Sequence, residues 1–240
     1  MTDNTSASAL TIDPRVRADL EAAGSTTGSF LDATTFLRAY SSQNGPWPLT
    51  SIKDGVLHGI TFEQKTMSDM GRWLKDRLGR TNLFWQINTL RCDLTPKKPK
   101  ASLEDVAALR RLHVDIDTNP DAPGTNEEQR AAILALLWDE ARLKAAGLPG
   151  GPTFIVDSGG GYWAFWDLVE PFSFGGGSAQ ERRAVAHAAG GYNKWLVEKL
   201  NAAFGWKFAD DCHNVDRVAR LPGTTNLPDD KKREVKGRKA

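Results

Sequence analysis

Residues 154–166, FIVDSGGGYWAFW, decide the fold class that the sequence predicts. Two apolar runs, 153–156 and 162–166, flank the turn Asp157-Ser-Gly-Gly-Gly161, which is the pattern of a β-hairpin. Outward from this hairpin, helical patterns interleave with further strand-like runs instead of alternating strictly with single strands. This order predicts an α+β domain with a mixed or antiparallel sheet flanked by helices.

The remaining elements are predicted from apolar periodicity and from capping residues. Predicted helices span 13–24, 31–40, a stretch from Thr66 past Leu78, 102–112, a stretch from Thr125 to near Gly147, and Ser178 to Leu200 with an interruption at Gly190-Gly191. Predicted strands are 55–62, 83–88, a short one at 113–117, and 215–221. The tryptophans are predicted to be mostly core residues, with Trp73, Trp138 and Trp195 at apolar helical positions and Trp85 and Trp166 on strands.

Composition excludes several classes of protein. The 240 residues carry a net charge of +1, which argues against a globally basic nucleic-acid wrapper, and 40% of them are hydrophobic, as in ordinary globular proteins. The two cysteines have no CxxC spacing, which argues against a disulfide framework or a zinc knuckle. Because the N-terminus has no leader pattern and no apolar run reaches about 18 residues, we expect a cytoplasmic protein without a membrane partner.

The neutral total conceals an uneven distribution of charge. Residues 71–100 hold eight Lys or Arg against two Asp, whereas residues 101–140 hold nine Asp or Glu against three Arg. The segment 229–240 has six basic and three acidic residues. These runs are either solvated surfaces with a disordered tail, or a basic surface beside an acidic site. We expect residues 1–12 to be disordered, 13–228 to form one domain, and 229–240 to be a basic tail that can lead to a further C-terminal region.

The sequence HVDID, residues 113–117, is the first candidate for chemistry. Asp115 and Asp117 are two apart on a predicted strand and so project from one face. Carboxylate oxygens are the ligands that Mg²⁺ and Mn²⁺ prefer, and such a pair can hold ions that bind a triphosphate. The alternatives are an ordinary strand-end turn and a nucleotide-sugar glycosyltransferase, which also uses an apolar-Asp-x-Asp pattern. His113 is either a ligand or a packed or solvent-facing strand residue.

Two glycine-bearing segments are the next candidates. The turn 157–161 either presents backbone N–H groups to phosphate or is a flexible hairpin turn. Residues 214–226, NVDRVARLPGTTN, place Asp216 beside two arginines and a Pro-Gly turn, and Lys231-Lys232-Arg233 follows. This arrangement is either a third metal ligand beside phosphate-binding guanidiniums or a structural Asp–Arg pair. Cys212-His213 has too few ligand neighbours in the sequence to predict a zinc site.

Together these segments resemble the archaeo-eukaryotic primase superfamily, in particular the primase-polymerase and RepB-like primase domains of plasmids, phages and mobile elements. The resemblance extends from about residue 83 to residue 232. It rests on the strand LFWQIN, the HVDID strand, the Ser-Gly-Gly-Gly-Tyr segment and, most specifically, DRVARLPGTTN at 216–226, in this order.

The resemblance implies a template-dependent nucleotidyltransferase with an RRM-like sheet, using Mg²⁺ or Mn²⁺, NTP or dNTP substrates and a single-stranded DNA template. A replicative helicase is a further candidate partner. The implied metal-binding catalytic residues are Asp115, Asp117 and Asp216. The implied nucleotide-binding residues are Ser158, Gly160, Trp163, Arg220, Asn226 and Lys231.

The chain departs from the family at Trp163, where a His that contacts the nucleotide usually follows the Gly-Tyr pair. An indole offers a donor and a stacking face but no positive charge. This departure motivates an alternative hypothesis, a replication-initiation module that binds single-stranded DNA without efficient synthesis. The glycosyltransferase alternative leaves DRVARLPGTTN unexplained.

Overall fold

A computed structural model describes residues 10–12 and 30–227 of the chain. The predicted helix at 13–24, the basic tail and Lys231 lie outside the described residues. Of the segment 1–12, for which we expected disorder, residues Leu10–Ile12 form a strand that pairs with residues 154–156. For these three residues the expectation was wrong, because the edge of the predicted hairpin offers backbone partners to them.

The described residues form nine strands and five α-helices. The strands are β1 (Leu10–Ile12), β2 (Trp47–Lys53), β3 (Val56–Phe62), β4 (Asn82–Gln86), β5 (Thr89–Leu90), β6 (Val106–Asp117), β7 (Phe154–Asp157), β8 (Gly161–Ser173) and β9 (Val218–Arg220). The helices are α1 (Phe30–Phe36), which continues as a π-helical turn over Leu37–Ser41, α2 (Met67–Lys75), α3 (Asn126–Trp138), α4 (Glu140–Ala145) and α5 (Ala179–Phe204).

These strands form two antiparallel sheets, which confirms the predicted α+β class. The large sheet has the order β1-β7-β8-β6-β5, and the small sheet has the order β3-β2-β4-β9. The hairpin predicted at 154–166 is present as β7 and β8, with Asp157 opposite Tyr162. Strand β2 was not predicted, because the proline at the second position of its sequence WPLTSIK argues against a strand. It forms because β3 and β4 pair with it on both sides.

The large sheet separates two apolar cores. On one face, β6 residues such as Val114 and Ile116 pack with helices α3, α4 and α5. On the other face, Phe154 and Phe165 join small-sheet residues, among them Trp85, and side chains of α1 and α2 in a second cluster. The two sheets therefore share one apolar core, and a side chain on this face of the large sheet points towards the small sheet.

The helix predicted at 102–112 was wrong. A single 3-10 turn, Leu103–Asp105, leads directly into the twelve-residue strand β6. A β-bulge shifts the register between Leu109 and Arg111, so Leu109 and Leu112 reach the same core although they are three residues apart. That spacing imitates helical periodicity in the sequence.

Helix α5 runs through Gly190-Gly191 without a break, so the predicted interruption was also wrong. A Cβ at position 190 would lie 3.1 Å from the carbonyl oxygen of His213, and this glycine therefore permits the segment after α5 to pack closely against the helix. Among residues 10–12 and 30–227, none of the helices has the length and apolar character that crossing a membrane requires.

The predicted burial of the tryptophans is confirmed for Trp85 and Trp166, which are 1% and 6% exposed. Trp73 and Trp138 are partly buried against the two cores. Trp195 is 37% exposed, so its assignment to the core was wrong. Its apolar neighbours along α5, Leu196 and Val197, take the inward positions instead.

Candidate metal and nucleotide site

Asp115 and Asp117 lie near the C-terminal end of β6, on the face that points towards the small sheet. Val114, which precedes Asp115, and Ile116, which lies between the two aspartates, are fully buried against the helices. Because side chains alternate along a strand, the two carboxylates lie on the opposite face. Directly across on β8, Asp115 faces Trp163 and Asp117 faces Gly161. Both carboxylate residues are half-buried, so they can meet both solvent and a bound ion.

Gly161 is required by the close approach of β8 to β6. A Cβ at this position would lie 2.8 Å from Oδ1 of Asp117 and nearer still to the carbonyl oxygen of Ile116. Real side chains do not tolerate such separations, so the last glycine of the turn determines how closely the turn approaches Asp117. The third glycine of the motif has a packing reason that is independent of any ligand.

A segment that follows α5 adds residues to this site. The amide of Asp117 donates to the carbonyl oxygen of Phe208 at 3.0 Å, and the amide of Asp210 donates to that of Asp115 at 2.8 Å. This irregular pairing with the edge of β6 brings Asp210 and Cys212 to Asp115. Ligand atoms of these three side chains lie within 4.8 Å of one another, in an arrangement that could hold a metal ion.

The donor set of this group favours a hard cation. Burial raises the pKa of the Cys212 thiol to about 12, with the Asp115 and Asp210 charges adding to the increase and Arg217 opposing it. A protonated thiol is a poor ligand for Mg²⁺ or Mn²⁺, whereas the two carboxylates suit both ions. The residues present therefore fit the expected cofactor through oxygen ligands, and Cys212 accepts a hydrogen bond from Arg217 Nη2 at 2.6 Å.

The structure groups the predicted metal ligands differently from the sequence. Asp115 belongs to the three-residue group, whereas Asp117 and Asp216 fall outside it. Asp216 lies in the turn before β9, where burial raises the pKa of its carboxyl and the positive charge of Lys100 opposes that rise. Sequence reasoning missed Asp210, although the polar run Asp210-Asp-Cys-His213 directly after a long helix was a visible signal.

His113 is a packed residue and not a solvent-facing one. It is fully buried, and its Nδ1 lies 3.3 Å from the side-chain nitrogen of Asn193 on α5. Burial lowers the pKa of this imidazole to about 3, so it is neutral at physiological pH. Of the possibilities predicted for His113, a packed strand residue is the one that the structure shows.

The glycine turn is held by side chains on both sides. Asp157 accepts from the amide of Gly159 at 2.7 Å and forms a 2.6 Å ion pair with Arg130 of α3. The amide of Ser158 donates to the carbonyl oxygen of Gly161 at 3.0 Å. The backbone donor that we expected Ser158 to offer to a nucleotide is therefore used within the turn.

The segment 216–226 closes onto this turn. Asn226 donates from Nδ2 to the carbonyl oxygen of Ser158 at 3.0 Å. Arg220 donates to Oδ1 of Asn226 at 2.7 Å and to Oδ1 of Asn82 at 2.9 Å. Three residues predicted to bind nucleotide, namely Ser158, Arg220 and Asn226, are thus joined by direct hydrogen bonds.

Trp163 is buried between the sheets. It is 7% exposed, stacks with Phe165 at a centroid distance of 6.1 Å, and lies 5.9 Å from the His113 ring. Its position opposite Asp115 is beside the metal-binding group, but its ring is part of the inter-sheet core. Trp163 therefore lies beside Asp115 on the same face of the large sheet, where it packs in the core between the two sheets.

Asn88, the residue that ends the LFWQIN stretch, joins the two sheets. Its Oδ1 accepts from the amides of Arg110 and Arg111 at 2.9 and 3.2 Å, and its Nδ2 donates to the carbonyl oxygen of Val215 at 3.1 Å. This buried amide satisfies both N–H groups at the β6 bulge and fixes the start of the Asp216 turn. Sequence reasoning noted the residue but gave it no role.

In comparisons with known proteins, the chain is similar to a solved structure. No family model matches the chain, and no curated protein matches it in sequence. A search of solved structures finds the archaeo-eukaryotic primase (AEP) domain of the cyanophage S-2L primase-polymerase, with 16% sequence identity and a TM-score of 0.47. The match covers 80% of this chain and 81% of that one.

Proposed function

We propose that the chain is a template-dependent nucleotidyltransferase, the catalytic domain of a DNA primase or primase-polymerase of the archaeo-eukaryotic primase superfamily. It would make primers in the replication of a plasmid, phage or other mobile element. One observation carries the proposal. Strand β6, with Asp115 and Asp117, pairs with the strand that follows the glycine turn, and Asn226 at the end of the DRVARLPGTTN segment donates a hydrogen bond to that turn. This adjacency of motifs that are far apart in the sequence supports the proposal.

The carboxylates are assigned to metal binding. Asp115 and Asp117 would hold Mg²⁺ or Mn²⁺ at the end of β6, with Asp216 as the third ligand that the resemblance implies. A bound divalent ion lowers the pKa of a 3′-hydroxyl and neutralises charge on a triphosphate. The protein side chains then need only position the substrate, since no covalent intermediate with the enzyme is required.

Phosphate contacts are assigned to the residues around the glycine turn. Asn82 and Asn226 hold the guanidinium of Arg220 in place, which reduces the entropy that it would lose on contacting a phosphate. Gly160 and Lys231 complete the nucleotide-binding set that we propose. For Ser158 we propose a change of role, from donor to the nucleotide to anchor of the turn.

The template strand is assigned to exposed basic residues. Within 71–100, Arg72, Lys75 and Lys97 are exposed on α2 and on the loop before β6. Contacts between lysine or arginine and phosphate release counterions, so binding of single-stranded DNA should weaken steeply with salt. The near-zero net charge of the chain is compatible with this role because the basic and acidic residues are segregated along it.

Primer synthesis by the purified protein tests the proposal. With Mn²⁺ or Mg²⁺, labelled nucleotides and single-stranded templates, we expect short oligonucleotides, and comparison of NTPs with dNTPs identifies the substrate. Asp115→Asn and Asp117→Asn should abolish synthesis, whereas Asp121→Asn, an exposed carboxylate four residues further on, should retain it. Absence of product from the wild-type chain on all templates would contradict the proposal.

The burial of Trp163 favours a second candidate, a replication-initiation module that binds single-stranded DNA but synthesises little. An indole packed between the sheets supplies no positive charge to a triphosphate. This candidate predicts salt-dependent DNA binding without metal-dependent incorporation. If Trp163→His confers synthesis on an otherwise inactive protein that stays folded, the indole explains the loss.

A further inference from the structure

Helix α5 carries an exposed apolar stripe, formed by Val185, Ala188, Tyr192 and Trp195. The side chains of Val185, Tyr192 and Trp195 are 37%, 62% and 37% exposed, and Ala188 is also exposed. Single apolar side chains are common on protein surfaces, but four on one helix face form a patch of the kind that marks an interface. Trp195, which was predicted to be a core residue, belongs to this stripe.

The spacing of the α5 stripe is that of a seam between two packed helices. Steps of three, four and three residues lead from Val185 through Ala188 and Tyr192 to Trp195, as they do where one α-helix packs along another. The buried residues of α5, among them Leu196, pack in the core that β6 shares with the helices. The stripe is therefore a second apolar surface of the same helix, in addition to the one that the fold buries.

Opposite charges lie at the two ends of the α5 stripe. Glu181 precedes Val185 by four residues and Lys199 follows Trp195 by four, so both continue the same helix face. Oε2 of Glu181 accepts from the amide of Ser178 at 2.7 Å, which fixes this acidic side chain at the start of the helix. From Glu181 to Lys199 the face is about 27 Å long at about 1.5 Å per residue.

A second copy of this chain complements this face when the two helices are antiparallel. Glu181 then lies opposite Lys199 of the second copy, Val185 lies opposite Trp195, and Ala188 lies opposite Tyr192. All three pairs are centred on position 190 of the helix, so one two-fold axis satisfies them together. Each large aromatic ring meets a smaller side chain, and the two helix axes can approach to the usual 8–10 Å.

A parallel arrangement of the same two faces is unfavourable. Glu181 would meet Glu181, Lys199 would meet Lys199, and the bulky Trp195 would meet its own copy. Like charges at both ends repel, and two indoles at one level keep the helices apart while leaving the alanine level unfilled. Charge and side-chain size therefore both favour the antiparallel pair.

We propose that α5 is the interface of a symmetric dimer, in which the face from Glu181 to Lys199 packs antiparallel on the same face of a second copy. A single pair of helices is smaller than the standard interface of stable complexes, so the expected affinity is micromolar or weaker. The association requires neither a metal ion nor a nucleotide. The inference goes beyond the proposed polymerase chemistry and does not depend on it.

Sedimentation equilibrium of the full chain, without metal or nucleotide and over a range of concentrations, tests the proposal. We expect a reversible equilibrium between monomer and dimer. Glu181→Lys and Lys199→Glu should each weaken dimerisation by about 10-fold or more, because two symmetric attractive pairs become repulsive. Lys194→Glu is the matched control, since it makes the same change of charge at an exposed position of α5 outside this face, and its dimerisation should equal that of the wild type.

Mixing the two charge variants tests the antiparallel geometry itself. A chain with Glu181→Lys and a chain with Lys199→Glu restore both pairs of opposite charge between unlike copies, so we expect a heterodimer with about the affinity of the wild-type dimer. Circular dichroism checks that each variant is folded, and Lys199→Glu leaves the Ser178 cap of the helix intact. The proposal is overturned if the wild type stays monomeric at all concentrations, if Lys199→Glu dimerises as the wild type does, or if the mixture forms no heterodimer.

Discussion

Asn226 donates through Nδ2 to the backbone carbonyl oxygen of Ser158 at 3.0 Å, although 68 positions separate the two residues in the sequence. Arg220 donates to Oδ1 of the same amide at 2.7 Å. One side chain therefore connects the glycine turn of the large sheet to the segment that follows β9 of the small sheet. The two glycine-bearing motifs, which are distant in the sequence, are therefore in direct contact in the fold.

Replacing Asn226 with Ala should lower the free energy of unfolding by about 1–3 kcal/mol, because the Ser158 carbonyl oxygen loses its donor and the Arg220 guanidinium loses one of its acceptors. Urea denaturation measures the difference. Gln43→Ala, at an exposed position, is the control and should change the stability little. If the two variants unfold at the same urea concentration, the amide does not hold the turn.

The choice of metal ligands can be decided by measuring Mn²⁺ affinity. If the group that the structure brings together holds the ion, Asp210→Asn should weaken Mn²⁺ binding by about 10-fold or more. If the ligand set implied by the resemblance is used, Asp216→Asn should have that effect instead. Calorimetric or electron paramagnetic resonance titration of the folded variants distinguishes the two sets.

Asp211→Asn is the matched control for that titration. Asp211 lies next to Asp210 but its side chain is 67% exposed, and it belongs to no group of three ligands among the described residues. We expect its Mn²⁺ affinity to equal that of the wild type. A loss as large as that of Asp210→Asn would indicate that only the total charge of the segment matters, and neither ligand set would then be supported.

The sequence predicts those elements whose residues are close together along the chain, and it does not predict contacts between distant segments. The hairpin at 154–166 was predicted because its strands and its turn lie in one continuous stretch. Strand β6 was not predicted at its full length, because the bulge at Leu109 and Arg111 replaces the two-residue period with a helix-like spacing. The position of Asp210 depends on pairing between residues 208–210 and the edge of β6, and no periodicity within the segment indicates that contact.

Gly161→Ala tests whether the last glycine of the turn is needed for packing. Because the added methyl group would overlap with the backbone of Ile116 and with Asp117, we expect a loss of about 3 kcal/mol or more, the scale of overpacking in a closed site. Gly176→Ala is the control, since a Cβ there meets nothing within 4 Å. Equal thermal stability of the two variants would show that β8 can move away from β6 at little cost.

Asp105 should make the protein sensitive to acid. Burial alone would raise the pKa of its carboxyl, but hydrogen bonds from Lys98 and Ser102 outweigh this and lower the pKa to about 2. Because the pKa in the folded state lies below the ordinary value near 4, the stabilisation is present above pH 4 and is lost as the pH falls towards 2. At its fullest it amounts to about 2 kcal/mol.

Urea denaturation of the wild type and of Asp105→Asn between pH 5 and pH 3 measures this effect. The difference in free energy of unfolding should shrink as the pH falls, since protonation removes the same charge that the substitution removes. Asp76→Asn, at an exposed position, should show no such trend. A difference for Asp105→Asn that stays constant over this range would rule out the ion pair with Lys98 as its source.

The two central glycines of α5 should respond differently to alanine. A Cβ at Gly191 meets nothing within 4 Å, so Gly191→Ala should stabilise the protein by about 1 kcal/mol through helix propensity alone. For a chain of this size that gain raises the Tm by about 2–4 °C. At Gly190 the same methyl group would lie 3.1 Å from the carbonyl oxygen of His213, so crowding against that segment should cancel the gain. Calorimetric melting of both variants tests this, and an equal increase in Tm for both would mean that the segment after α5 does not pack on the helix as described.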